Sequence, residues 1–293
     1  MRNYMRLIIT FVLLFSFITQ LKAQEVNYSP EYFGPNANPV PEFTEALIPT
    51  KTTIFVGGSY WFGGGESSGN FNISVEVPLL PERVSFKVWM TTLEGWSVSQ
   101  SLYNYRGMTS GKLSGLSSGD IYVQTRISLL REKKYCPAIV LNSTLKTASG
   151  TDFHSHRYFD TPGYYFDLEV GKSFFFHNKV FSELRGALDV GFLCWETSGS
   201  RQNDAPMYGV SLSFANEWVR WQHSLSGYYG WIGSGDKPLV YRTMFSVTLP
   251  WLDIHVKYQY GIMDFPFQGI QLGVQVPIEV LTPKFVKVQN KAE

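Results

Sequence analysis

Between Tyr164 and Glu196 the chain alternates apolar and polar residues with a period of two, and does so twice. Tyr164, Phe166, Leu168 and Val170 take turns with Tyr165, Asp167, Glu169 and Gly171. Past His177-Asn178-Lys179, Leu184, Leu188, Val190 and Phe192 share one parity, and Glu183, Arg185, Ala187 and Asp189 share the other. A strand points successive side chains to opposite faces, so each segment has one face for an apolar solvent and one for water. Both outrun the ~5–6 residues usual in globular sheets. Such strands suit a tilted closed barrel with lipid outside and a polar lumen inside, because hydrocarbon tolerates no unpaired backbone group. The expected fold class is all-β, a transmembrane up-and-down antiparallel β-barrel.

The chain ends are of a different kind. Arg2 and Arg6, the apolar run Leu7 to Ile18 and the small residue closing Leu21-Lys22-Ala23 predict a secretory signal peptide over residues 1–23. The run is shorter than the roughly 20 residues a spanning helix needs. Residues 24–51 carry Pro30, Pro35, Pro39, Pro41 and Pro49 without sustained periodicity. Proline cannot donate to a ladder, so this is an extended leader, either free in the periplasm or folded into the lumen as a plug. Residues 52–281 are assigned to the barrel and 282–293 to a periplasmic tail.

Alternation and turn residues predict about twelve strands. Ten flank the central pair: Thr52–Phe62, Asn70–Val77, Val84–Trp96, Asp120–Leu130, Ala138–Thr147, Met207–Asn216, Trp218–Trp231, Leu239–Leu249, Leu252–Ile262 and Phe267–Val280. Gly63-Gly64-Gly65 reads as a turn, and Ser97–Ser118, Ala148–Pro162 and Thr197–Asp204 as polar loops. If both termini are periplasmic, the connections after the third, fifth, seventh and ninth strands, which include the longest, fall outside and short ones inside, the asymmetry of outer-membrane barrels. Composition agrees: aromatics make up 16%, Gly numbers 26, and charged residues are 17%, against roughly 25% in soluble domains. A net charge of +1 gives no sign of nucleic acid binding. Cys136 and Cys194 fall at opposite ends of the barrel and are expected to stay unbonded.

Trp61, Trp96, Trp195 and Trp231 lie at outer strand ends, and Trp218, Trp221 and Trp251 at or near inner ends. Indoles favour the headgroup level, so these seven are expected to form two aromatic girdles, with Trp89 left mid-strand. The polar parity assigns Glu76, Lys87, Arg126, Lys146, Asp167, Glu169, Glu183, Arg185, Asp189, Arg220, Arg242, Asp253, His255 and Lys257 to the lumen lining. Their mixed signs can pair across the ladder.

No catalytic set is expected. His154 and His156 with Asp152 or Asp160 lack a fixed third metal ligand, and His255 beside Asp253 has no nucleophile that the pattern supplies. Neither a metal nor a cofactor is anticipated.

Gly119-Asp120 opening one strand, Pro137-Ala138 opening the next, and Leu145-Lys146-Thr147-Ala148-Ser149-Gly150 closing it resemble the barrel family named for the meta-cleavage pathway of phenol degradation. The chain has Ala-Ser-Gly where that family commonly shows Pro-Thr-Gly. The resemblance implies an outer-membrane transporter of hydrophobic or aromatic solutes; the leader and aromatic-rich style are similar to Bacteroidetes-type barrels. The expected role is a passive channel in the outer membrane of a Gram-negative bacterium. Expected partners are outer-membrane lipid and lipopolysaccharide, a small-molecule solute and the barrel-assembly machinery, with no nucleic acid. A barrel enzyme acting on lipid or lipopolysaccharide, and a structural or adhesive surface barrel, are the alternatives.

Overall fold

The computed structural model describes residues 29–177, 180–196 and 202–283. Thirteen strands occupy twelve positions: β1 (Thr52–Gly63), β2 (Glu66–Leu80), β3 (Val84–Val98), β4 (Ser114–Ser117), β5 (Tyr122–Leu130), β6 (Ala138–Lys146), β7 (Gly163–Phe175), β8 (Glu183–Glu196), β9 (Gln202–Ala215), β10 (Val219–Tyr228), β11 (Leu239–Thr248), β12 (Asp253–Met263) and β13 (Gln268–Ile278). The short β4 and the longer β5 share one position, since both pair with β3. Each position pairs antiparallel with its neighbours in sequence, and β13 closes on β1, with Val56 opposite Val274. The result is a closed twelve-strand up-and-down barrel.

The period-two pattern sorts the faces. Leu168, Leu188, Val190, Val210 and Leu272 are exposed on the outside, whereas Asp167, Glu169, Arg185 and Asp189 are buried within. A water-soluble protein does the reverse. An apolar belt of this extent, carried by nearly every strand, requires an apolar solvent.

The barrel has two unlike ends. At one, the turn end, Pro81–Arg83, Asn216–Trp218 and Leu249–Leu252 reverse the chain between strands. At the other, the loop end, lie Gly63-Gly64-Gly65, with φ of 134°, 60° and 89°, and the longer connections. The stretch after β3 contains a helix, α1 (Gln100–Arg106), that the alternation analysis left as loop. Ser99 caps it by accepting from the Leu102 N–H at 3.2 Å, and Gly107 ends it at φ 65°.

Two strands are longer at the loop end than their alternation suggests. β2 begins at Glu66, not Asn70, and β9 begins at Gln202, inside the stretch read as a polar loop. Beyond the lipid both faces of a strand are wet, so the apolar signal stops before the ladder does. The signal peptide, Asn178-Lys179 of the central turn and residues 284–293 of the tail lie outside the described residues.

Both cysteines are free; Cys136 is exposed beside the turn end and Cys194 is buried in β8 near the loop end. A water-soluble maleimide should therefore label Cys136 at once in the folded barrel and Cys194 only after unfolding, giving one adduct and then two by mass. Two adducts in the folded protein would contradict this placement.

Candidate functional site

Residues 29–51 lie inside the barrel and run its whole length. Lys51 precedes β1 at the turn end, while Ser29 lies against Gly235 in a loop-end connection. The five prolines keep the leader out of any ladder, which leaves its carbonyls free to accept from lumen arginines. Arg242 donates to the Val40 carbonyl at 2.6 Å, Arg126 to that of Leu47 at 2.5 Å and Arg185 to that of Glu45 at 2.9 Å. Glu45 and Ala46 hold φ of 60° and 57°, a left-handed pair uncommon outside Gly and Asn. Around that bend the N–H groups of Thr44 and Ala46 converge on the Glu169 carboxylate at 2.7 and 2.5 Å. The bend thus turns two backbone amides onto one carboxylate. The Glu45 carboxylate is held in turn by Ser211 at 2.7 Å and by Ser213 and Arg220 at 3.2 and 3.1 Å.

The other lumen residues separate by partner. Glu76 pairs with Arg126 at 2.8 Å, Lys257 with leader residue Glu42 at 2.6 Å, and Glu183 takes the Ser173 hydroxyl at 2.7 Å. Asp167 accepts from Asn142 at 2.5 Å, and Asp189 sits opposite Glu169 in the ladder. His255 bonds Ser246 across the strands at 2.8 Å and not Asp253, which shares its face. Lys146 is drawn to Asp120 at 2.7 Å, away from the open lumen. Lys87 borders the cavity and makes no hydrogen bond, its ammonium 5.2 Å from the Trp89 ring.

At the loop end a buried cluster ties the leader to the connections. Arg157 reaches both Glu66 and Glu94, the latter at 2.5 Å, and Arg106 of α1 pairs with Glu66 at 2.6 Å. Arg106 also donates to the carbonyls of Glu31 and Phe33, and Asn36 to Glu94. His156 stacks on Phe33 and bonds the Tyr32 carbonyl at 3.1 Å; burial pushes its pKa down from the ordinary value, against that bond. His154 meets Thr109 instead, and no metal-holding group of three occurs among the described residues. At the turn end Glu132 is partly desolvated, yet bonds from Arg185, Ser173 and Lys172 hold it below the usual carboxylate range.

Three of the expected girdle tryptophans face inward. Trp61 borders the lumen cavity, while Trp96 and Trp195 are 3% and 2% exposed. Trp218, Trp221, Trp231 and Trp251 do point outward. For Trp61 and Trp195 the strand period already decides, since Tyr60 and Phe192 take the outer face and leave odd positions to the inner one. Trp96 is different. The register jumps between Phe71↔Leu93 and Asn72↔Thr91, so Thr92 is an extra residue that reverses the parity of everything after it in β3. Inward indoles need flat neighbours: a Cβ on Gly269 would meet the Trp61 ring at 2.5 Å, and one on Gly163 the Trp195 ring at 2.5 Å.

Comparison with solved structures matches this architecture. An outer membrane channel from Pseudomonas putida F1 superposes with a TM-score of 0.56 at 11% identity, covering 82% of this chain and 100% of that one. The NanC porin gives 0.50 at 9% identity over 77% and 100%. The fold is that of an outer-membrane β-barrel. No family model and no curated protein matches the sequence. The stretch resembling the phenol-pathway family has a structural role of its own. Asp120 both pairs with Lys146 and accepts from the Gly150 N–H at 2.7 Å, clasping the break between β4 and β5 to the end of β6.

Between the leader and a wall to which β1–β3, β5 and β10–β13 contribute, a cavity of about 580 Å³ remains. Its lining is mixed. Phe55, Trp61, Trp89, Tyr122 and Phe265 supply aromatic surface, and Lys87, Arg126, Arg242 and Lys257 supply charge. Neither the leader residues nor the inward aromatics were assigned to the site from sequence, because a charge-based reading of the polar parity passes over aromatic residues on it.

Proposed function

We propose that this protein is a passive channel for small solutes in the outer membrane of a Gram-negative bacterium, its lumen narrowed by residues 29–51. The observation that carries the reading is the cavity between leader and wall, within the size range of ligand sites, roughly 300–1,000 Å³. Its aromatic surfaces favour solutes with apolar or aromatic parts, the class implied by the resemblance at Gly119–Gly150. That a channel and a porin share the barrel supports passage as its use.

Planar-bilayer conductance and solute flux into liposomes test this. The intact barrel should conduct weakly, and a variant lacking residues 30–49 should conduct severalfold better while remaining heat-modifiable on gels. Ala46→Pro gives the same test with the barrel untouched, because proline removes the N–H that Glu169 grips and cannot adopt the positive φ found there. Folded variants that conduct no better than the parent would remove the leader from the conduction path, and an intact barrel without flux of any solute would end the channel reading.

A further inference from the structure

The cations that border the lumen cavity are unequally occupied. Arg126 is paired with Glu76, Arg220 with Glu45, and Arg242 and Lys257 with Glu42. Asp120, the remaining acid on the wall, is consumed by Lys146. Lys87 has no such partner. It lies within electrostatic reach of Glu76 and Glu42, but Arg126 and Lys257 act on it from the same surroundings with opposite sign. The Trp89 ring beneath it stacks on Tyr122, with centroids 5.0 Å apart and planes 12° from parallel. The Tyr122 hydroxyl is itself buried, so the ring and not the hydroxyl meets the cavity. Lys87 and Tyr122 stand diagonally across β3 and β5, since Trp89 is opposite Tyr122 and Lys87 opposite Gln124.

An ammonium without a partner, set beside an aromatic platform, leaves a defined chemical gap. A donor without a partner is left unsatisfied, so a site of this kind gains from an occupant that supplies acceptors. Ammonium has three donors and accepts nothing, which selects an anion. The flat walls of Trp89 and Trp61 select an apolar body attached to it. We infer that the cavity is a binding site for small organic carboxylates carrying an apolar group, with the carboxylate on Lys87 and the apolar part along Trp89 and Trp61. This rests on the channel reading above and names the class of solute for it: the leader would hold the lumen at a width where a passing carboxylate touches Lys87.

The test reads binding in detergent, where conduction plays no part, so its failure is separable from failure of the channel reading. Tryptophan fluorescence of the purified full-length barrel is titrated with benzoate and hexanoate, with their neutral amides, and with acetate, which lacks the apolar body. The carboxylates should change the emission saturably, the amides should bind roughly tenfold or more weakly, and acetate should have no effect at the same concentrations. Lys87→Gln, which stays uncharged in a lumen position and should remain heat-modifiable, is expected to abolish the preference for acid over amide. Equal binding of acids and amides by the intact barrel would overturn the inference. So would a folded Lys87→Gln protein that retains the preference, or acetate binding as well as benzoate.

Discussion

Replacing Leu188 by Arg should abolish insertion of the barrel into lipid vesicles or reduce it severely, whereas Asp189→Asn, one residue away, should leave insertion near the parent level. Leu188 is 58% exposed on the outer face, between Val170 and Val210 on the flanking strands. A guanidinium there faces hydrocarbon, at a cost of about 2–4 kcal/mol near the bilayer midplane. Marginal stabilities of ~5–15 kcal/mol make that a large loss. Asp189 is 2% exposed on the inner face, opposite Glu169 and next to Gly209, over which the leader ring of Phe43 lies. Its neighbours Asp167 and Glu169 carry the same sign, and Arg185 is not its partner, being bonded to Glu132 and the leader carbonyl of Glu45. An amide in place of this acid keeps the size of the side chain and breaks no ion pair. The fraction of heat-modifiable protein recovered after mixing with vesicles measures both variants. Normal insertion of Leu188→Arg with failure of Asp189→Asn would mean that the two faces are interchanged.

The second large effect is expected at the loop end. Arg157→Met should destabilise the folded barrel by about 3–5 kcal/mol, the range for removing one partner of a buried ion pair. The loss falls on Glu94, because Glu66 keeps Arg106, while Glu94 retains only Asn36 and Ser117. Arg157 also lies 5.4 Å over the Trp96 ring, and Gly34 leaves room for its guanidinium. Loop, leader and strand ends therefore loosen together. The urea midpoint for unfolding from vesicles should drop, and the 147–162 connection should become sensitive to protease. Adding Glu94→Gln to Arg157→Met should recover part of the loss, since the orphaned charge is then gone. An unchanged midpoint for Arg157→Met, or no recovery in the double variant, would show that the cluster contributes little.

The architecture was legible because a barrel in lipid imposes a rule on nearly every residue of every strand. One solvent lies on each face, the period is two, and a shift by one residue would expose every charge to hydrocarbon. Long alternating segments such as Tyr164–Phe175 and Glu183–Glu196 leave few ways to comply, so strand number, order and the inner placement of the charged residues follow from pattern alone. The rule has limits that are also physical. It stops where both faces are wet, which is why the starts of β2 and β9 and the helix α1 escaped it. It is local, so a single extra residue, Thr92, turned Trp96 from the rim to the interior, and no feature of β3 taken alone reveals that its partner skips a residue there. Above all, periodicity concerns a strand and its solvent. What fills the space the strands enclose depends on contacts between residues far apart in sequence, such as Glu169 with Thr44 and Arg242 with Val40. The leader, aperiodic and rich in proline, fitted either the periplasm or the lumen until the ring of strands closed around it, and closure is what aligned its carbonyls with the arginines that hold it.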